Sequence, residues 1–130
     1  MVLAFLKLQK KQFNNFNYNN PIMETVYLLI REGIIYEVYD KFLNDLNNNN
    51  YTELSFNTIT IEKLTYCELK IYCHLGDQPD PYPLYISTKE LINFTSKIKS
   101  LIGKEWETIR IEFDGNIFEI FVDDKPYQTN

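Results

Sequence analysis

The residues of this chain that could carry chemistry are few and poorly grouped. One His and two Cys among 130 residues leave almost no material for a metal centre or for thiol or imidazole catalysis. His74 precedes the loop residue Asp77, and a His beside an acidic loop could act as a general base. No G-x-S-x-G or comparable nucleophile motif accompanies it. We therefore expect His74 to be a surface residue or a polar contact to a partner, and the chain not to be an enzyme.

The two cysteines, Cys67 and Cys73, lie on one predicted strand and on the same face of it. Same-face positions recur about every 7 Å along a strand, so these residues would be roughly 20 Å apart and could not form a disulfide with each other. Their spacing does not match a zinc site either. We predict two free thiols that act as small buried apolar side chains, which fits a reducing cytosol.

Acidic residues crowd the C-terminal third of the chain. Paired carboxylates can serve as acid and base in glycoside hydrolysis or bind Mg²⁺, but both uses need a cleft, whereas these residues alternate out of a predicted hairpin toward solvent. Two interpretations stay open, a solvated face and an acidic docking surface for a basic partner. The candidate contact residues are Glu112, Asp114, Glu119, Asp123 and Asp124 of the hairpin, with Asp77, Asp80 and Tyr82 of the Pro-rich segment.

The charge balance separates the N-terminus from the rest of the chain. The net charge of -5 argues against a dedicated nucleic-acid binder, which needs clustered Lys and Arg. Lys7, Lys10 and Lys11 are the only charged residues before Met23, so residues 23–130 carry 10 basic and 18 acidic groups, a net charge of -8. Because Asn-rich sequence favours turns and loops, we predict a flexible lead over residues 1–22 and a single domain over residues 23–130.

An alternative for the N-terminus is that Val2–Leu8 forms a short edge strand or helix docked on the domain. Met23 begins a stretch that looks like an ordinary protein start. No secretory signal is recognisable, since the lysines follow the apolar run, and no segment approaches the roughly 20 apolar residues of a membrane span. We expect a cytoplasmic protein that does not contact a membrane.

The elements that would position these residues follow from hydrophobic periodicity. Spacings of three and four predict one helix over 24–46, and alternation predicts a half-buried strand over 66–75. A second strand is predicted over 54–61, with a turn over 62–65 between the two. The segment GDQPDPYP over 76–83 is irregular, and a short strand over 84–86 is left open. Ser87 and Glu90 match a capping box for a second helix over 88–102, which ends at Gly103.

The chain closes with the clearest element, a β-hairpin. Asp114-Gly115 is a preferred two-residue turn, and it predicts a register in which Arg110 lies opposite Glu119 and Ile111 opposite Phe118. The tail from Asp123 is expected to fray. The resulting order, α-β-β-(β)-α-β-β, predicts an α+β fold in which two helices pack on an antiparallel sheet of four to five strands.

Three segments carry a resemblance to a known class of proteins. They are YCELKIYCHLG (66–76), KELINFTSKIKSLIG (89–103) and, above all, EWETIRIEFDGNIFEIFVD (105–123). An N-terminal helix, a Tyr-rich strand, a Pro-containing loop, a helix and a Trp-led hairpin together resemble the small immunity proteins of bacterial polymorphic toxin systems, particularly the YezG-like antitoxins.

The resemblance implies a small, cofactor-free and cytoplasmic protein that binds a cognate toxin. Many immunity proteins neutralise nucleases, whose basic channels accept a complementary acidic surface. We therefore expect a basic toxin domain as the partner and no direct nucleic-acid binding. The alternative is a structural or adaptor protein, such as a phage or mobile-element accessory domain, that acts through homo-oligomerisation on its exposed sheet face.

Overall fold

A computed structural model describes residues 4–9, 16–36, 39–48, 52–56, 58–73, 82–101 and 103–128. In chain order the elements are β1 (Ala4–Gln9), β2 (Phe16–Tyr18), α1 (Ile22–Tyr36), α2 (Tyr39–Asn47), β3 (Glu53–Phe56), β4 (Ile59–Thr65), β5 (Glu68–Cys73), β6 (Leu84–Ser87), α3 (Thr88–Leu101), β7 (Thr108–Phe113), β8 (Phe118–Val122) and β9 (Lys125–Pro126). The predicted α+β class is confirmed.

Two antiparallel sheets enclose the helices. The five-stranded sheet has the order β2-β1-β7-β8-β9, and the four-stranded sheet has the order β3-β4-β5-β6. Helix α1 contacts β1 of one sheet and β4 and β5 of the other, while α3 contacts β6. Helix α3 also reaches the five-stranded sheet, because the ring centroids of Phe94 and Phe118 are 4.3 Å apart. Each sheet thus packs an apolar face against the helices, and its other face points outward. The sequence predicts a single sheet, whereas the structure has two.

The prediction of a flexible lead over residues 1–22 is wrong for β1. This strand lies between β2 and β7, and its alternate residues Ala4, Leu6 and Leu8 are fully buried. Because β1 has a neighbouring strand on each side, it is an internal strand and not an edge strand. The alternative prediction, an edge strand or helix over Val2–Leu8, is therefore correct only in that this segment forms a strand. Met23 is also fully buried, within α1. The folded unit therefore includes β1, and the net charge of -8 for residues 23–130 does not describe it.

The residues of the helix predicted over 24–46 lie in α1 and α2, and residues 37–38 between these helices are outside the described ranges. Another boundary differs from prediction. The predicted turn over 62–65 belongs to β4, which carries a register irregularity between Lys63 and Thr65, and the chain reverses at Tyr66 and Cys67. The strand continues through 62–65 because these residues include none of the Gly, Pro, Asn or Asp residues that usually form turns.

The hairpin between β7 and β8 has a different register from the predicted one. Phe113 lies opposite Phe118, and Ile111 lies opposite Ile120, so the loop contains four residues instead of two. The Asp114 carboxylate accepts the backbone N–H groups of Asn116 and Ile117 at 2.8 and 2.9 Å, which holds this longer loop. Because the shift is an even number of residues, every side chain keeps its predicted face.

The shift in register exchanges a charge pair for an aromatic pair. The predicted contact of Arg110 with Glu119 is absent, and Glu119 lies opposite Glu112. In return the rings of Phe113 and Phe118 stack with centroids 4.6 Å apart. An aromatic pair contributes about 0.5–1.5 kcal/mol beyond its buried area, whereas an exposed ion pair contributes roughly 0–1 kcal/mol. Packing therefore outweighs the surface charges.

The segment after Asp123 is ordered, although fraying was predicted there. Asp123 and Asp124 adopt φ angles of 51° and 68°, the left-handed conformations that a tight two-residue hairpin turn requires. Strand β9 then returns along β8. The Tyr127 N–H donates to the Ile120 carbonyl at 2.8 Å, and the Tyr127 hydroxyl pairs with that of Ser100 on α3. The tail is thus fixed to both a strand and a helix.

Helix α3 begins as predicted, with one difference in its cap. The Ser87 hydroxyl accepts the Glu90 N–H at 3.0 Å. The Glu90 carboxylate does not return to Ser87 but accepts the Phe118 N–H of β8 at 3.1 Å. The buried stripe of α3 includes Leu91, Phe94, Ile98 and Leu101, as predicted. Glu90 therefore joins the helix to the terminal hairpin.

Candidate functional site

The acidic residues of the terminal hairpin do not form one surface. Glu112 and Glu119 lie opposite each other on β7 and β8, facing outward. Asp114 lies in the loop at one end of the hairpin, and Asp123 and Asp124 form the turn at the other end. Six residues of extended β7 place these ends about 20 Å apart. The predicted contact surface is therefore divided into three separate groups.

Two of these carboxylates bind their own backbone. The Asp123 carboxylate accepts the N–H groups of Glu107 and Thr108, each at 2.9 Å. The Thr108 bond and then the Glu107 bond lower the pKa of Asp123. Asp123 thus connects the β8–β9 turn to the start of β7. The lowered pKa of its carboxyl group results from hydrogen bonds that stabilise the fold.

Asp114 has the same function at the opposite end of the hairpin. Hydrogen bonds from the backbone N–H of Ile117 and then of Asn116 lower its pKa. Its carboxylate remains exposed but is oriented by these two bonds. Both aspartates are explained by turn geometry without any partner.

The outer face of the five-stranded sheet is electrically balanced. Lys7 of β1 lies opposite Arg110 of β7. On the same face of the sheet, this pair is next to the pair formed by Glu112 and Glu119. The Arg110 Nη2 and Glu112 Oε2 atoms form a salt bridge of 2.9 Å. Two cations therefore accompany two acids on this face of the sheet.

The remaining predicted contact residues fall on the Pro-rich segment. Asp77 and Asp80 lie outside the described residues, as does His74. Tyr82 directly precedes Pro83 and β6, and half of its surface (50%) is exposed. Only Tyr82 of this group can therefore be placed.

The two cysteines are both free, as predicted, but only one of them is buried. Cys73 lies on the inner face of β5, where its Sγ atom is 3.4 Å from the Thr25 hydroxyl. Cys67 is exposed, because it occupies the β4–β5 turn and not the strand. The prediction of a buried Cys67 is wrong for this reason.

A further acidic surface lies on the four-stranded sheet and was not predicted from the sequence. On its outer face Glu53 lies opposite Glu62, and Lys70 lies on the other side of Glu62. Tyrosines complete the surface. We call the outward residues Glu53, Glu62, Glu68, Lys70, Tyr72 and Tyr85 the acidic sheet face. It carries three acids and one cation.

The charges of the acidic sheet face affect the pKa of Tyr72. Burial raises the pKa of its phenol, and the neighbouring carboxylates of Glu53 and Glu62 raise it further. The Lys70 Nζ atom lies 5.3 Å from the centre of the Tyr72 ring. Directly opposed like charges oppose sheet formation, so the apolar inner face, with Ile61 fully buried, must hold the two glutamates together.

Within the described parts of the chain, no three His, Cys, Asp or Glu side chains are grouped so that they could hold a metal ion. None of the helices there combines the length and apolar character needed to cross a membrane.

Comparison of the chain with protein-family models, with curated proteins and with solved structures gave no match. Function is therefore inferred from the chemistry of the chain's own surfaces.

Proposed function

We propose that this chain is a cytoplasmic, non-enzymatic immunity protein that binds and neutralises a basic toxin domain, of nuclease type. The observation that carries this proposal is the acidic sheet face, where Glu53 and Glu62 lie directly opposite each other. This arrangement costs stability in the free protein. A Lys or Arg of a partner placed between the two carboxylates would remove the repulsion.

The aromatic residues of the face suit the same kind of partner. Tyr85 is 49% exposed and lies opposite Lys70, next to Tyr72. Flat, rigid tyrosine rings are favoured at protein interfaces, and a guanidinium group packs well on them. Complementary charge also accelerates encounter with a basic surface, which is useful for an inhibitor that must act before its toxin does.

We assign the contact to the acidic sheet face and not to the terminal hairpin. Asp114 and Asp123 are engaged by backbone N–H groups, and Glu112 is paired with Arg110. Asp124 and Tyr82 are exposed and are kept as secondary candidates.

Growth rescue tests the proposal. The toxin domain encoded by the adjacent upstream gene is expressed with the wild-type chain, with E53K/E62K and with E105K/E107K. The last variant makes the same charge change at two exposed glutamates away from the acidic sheet face. We expect rescue and co-purification by the wild type and by E105K/E107K, and loss of both by E53K/E62K.

Two results would contradict the proposal in different ways. If the wild-type chain neither rescues growth nor co-purifies with the toxin domain, the chain is not its immunity protein. If E53K/E62K rescues growth as well as the wild type, the toxin binds elsewhere on the chain.

A second candidate is a structural or adaptor protein that acts through homo-oligomerisation. The balanced outer face of the five-stranded sheet favours it. This candidate predicts self-association with no rescue of toxin-inhibited growth, so the same experiment separates the two functions.

A further inference from the structure

We propose that the open edge of β3 binds an extended segment of the partner by strand addition, and that this segment places a basic residue opposite Glu53. The identity of the partner as a toxin rests on the proposed function, whereas strand addition does not. Strand β3 is an end strand of the four-stranded sheet. The unpaired N–H and C=O groups of an end strand are a template for pairing with another chain.

The backbone groups of Glu53 and Ser55 point to the open side of β3. The Lys63 N–H donates to the Thr52 carbonyl at 2.9 Å, and bonded and non-bonded pairs alternate along an antiparallel ladder. In the observed register, Leu54 is therefore bonded to β4, whereas Glu53 and Ser55 direct their N–H and C=O groups away from it. Glu53 and Ser55 are also exposed, so an added strand could bond to both.

The other edges of the two sheets are less suitable for strand addition. Strand β2 has three residues and no charged side chain. Strand β9 has two residues, and one of them is Pro126, which has no N–H to donate. Pro83 directly precedes β6 and likewise offers no donor to that edge. Strand β3 has four residues and no proline.

The row of charges on the acidic sheet face is incomplete at β3. Glu53, Glu62 and Lys70 lie side by side on β3, β4 and β5. Glu62 thus has a cation on one side, whereas Glu53 has only Glu62 as its cross-strand neighbour. In the described part of the structure, no salt bridge joins Glu53 to another side chain. A Lys or Arg on an added strand would give Glu53 the opposite charge that Lys70 gives Glu62.

Two further positions of the bound segment follow from the faces of β3. Leu54 is half-buried on the inner face and packs against the core, so an apolar residue opposite it would extend the core. The Ser55 hydroxyl lies on the outer face and pairs with that of Thr60 at 2.9 Å, which favours a Ser or Thr opposite it. An antiparallel segment therefore reads polar, apolar, basic along its own direction.

A second copy of this chain does not suit the β3 edge. Pairing of two β3 strands would join two acidic sheet faces, each of which carries three acids and one cation. Like charges on adjacent strands oppose such pairing. The occupant is therefore a basic segment of a different protein.

Capped synthetic peptides test strand addition without any toxin. The peptide Val-Thr-Val-Arg-Val has the required pattern, with its Arg opposite Glu53. In NMR spectra of the isotope-labelled wild-type chain, we expect this peptide to shift the amide signals of Glu53 and Ser55 and to slow their hydrogen exchange. The signal of Tyr85, on the opposite edge strand, should not change. The peptide Val-Thr-Val-Glu-Val should bind at least about tenfold more weakly.

N-methylated peptides distinguish strand addition from attraction between charges alone. A methyl group on the Arg nitrogen removes the donor to the Glu53 carbonyl and should weaken binding at least about tenfold. A methyl group on the nitrogen of the central Val points away from β3 and should leave binding unchanged. Both peptides have the same composition and charge, so each is a matched control for the other.

Variants of Ser55 make the same comparison on the chain. Ser55→Pro removes the outward N–H without removing a bond to β4, and Ser55→Ala is its control, since both variants lose the hydroxyl. We expect S55P to bind the Arg peptide, and the toxin domain of the neighbouring gene, at least about tenfold more weakly than S55A does. Urea unfolding shows whether the variants fold, and the peptide comparisons use only the wild-type chain.

The results separate this proposal from the proposed function. Unchanged Glu53 and Ser55 signals at millimolar Arg peptide overturn strand addition, as does equal binding of the two N-methylated peptides. A toxin domain that binds S55P as tightly as S55A overturns the assignment of the β3 edge to the toxin, while binding itself still supports the proposed function. A toxin domain that does not bind the wild type contradicts the proposed function, and the peptides then decide strand addition by themselves.

Discussion

Truncation of one N-terminal side chain should destabilise the whole domain. Leu6 is fully buried in β1, where it lies opposite Ile111. Leu6→Ala removes three carbon atoms, whose transfer to water costs about 0.8 kcal/mol each, or about 2.4 kcal/mol in total. The cavity that remains adds to this cost, so we expect a loss of about 3–4 kcal/mol, within the range for buried leucines. That is a large part of the roughly 5–15 kcal/mol by which domains are stable.

Urea unfolding followed by tryptophan fluorescence measures this loss. Trp106 is the only tryptophan and is buried, so its emission reports unfolding. With about 2.1 cal/mol/K of unfolding entropy per residue, the same change lowers Tm by about 11–15 °C. Leu64→Ala is the matched control, since Leu64 is 43% exposed and should change stability by at most about 0.5 kcal/mol.

The result that would refute this reasoning is simple to recognise. If Leu6→Ala and the wild type unfold at the same urea concentration, β1 does not belong to the core. The N-terminal segment would then be the flexible lead that the sequence suggested.

Three further predictions follow from single contacts. Glu90→Ala leaves the Phe118 N–H without its acceptor and should cost about 1–3 kcal/mol, whereas Glu90→Gln retains an acceptor oxygen and should cost less; equal unfolding midpoints for the two variants would contradict this role. A disulfide reagent should modify Cys67 quickly and Cys73 only on unfolding, because one thiol is exposed and the other buried; two fast thiols in the native chain would be inconsistent with the structure. Since the pKa of Asp123 is lowered from 3.8, its ionised form stabilises the fold above pH 3.8, and this contribution is lost as the pH falls through the lower folded-state value. Asp123→Asn should thus be less stable than the wild type at neutral pH, with a gap that closes in acid; a gap independent of pH would exclude a contribution from the charge.

Elements governed by local rules were predictable. Helix α3 begins directly after its capping residue Ser87, and β5 shows the alternation that assigns Leu69 and Ile71 to the core. The faces of the terminal hairpin were also correct. Each of these features depends on residues within a few positions of one another.

Features that depend on distant partners were not predictable. Strand β1 pairs with β7, about a hundred residues further along, and its short apolar run beside Asn-rich sequence gave no sign of that partner. The register of the hairpin was missed because it also depends on the packing of Phe118 against α3. The Asp114 carboxylate contacts only its near neighbours in the chain, whereas the contact of Phe118 with α3 exists only in three dimensions.

The candidate surfaces were missed for the same reason. The opposition of Glu53 to Glu62 requires the pairing of β3 with β4, and the position of Lys7 beside Arg110 requires β1. In the sequence, acidic residues are most concentrated in the terminal hairpin. In the folded chain, strand pairing brings acidic residues together on the four-stranded sheet.

The affinity of the chain for the neighbouring gene's toxin domain tests the central claim most directly. Titration calorimetry would compare the wild type with E53Q/E62Q and with E105Q/E107Q, at low and at high salt. We predict that E53Q/E62Q binds at least about tenfold more weakly and that added salt weakens binding by the wild type. E105Q/E107Q should bind as the wild type does. Equal affinities for E53Q/E62Q and the wild type, or no binding by the wild type, would contradict the claim that the acidic sheet face binds a basic toxin.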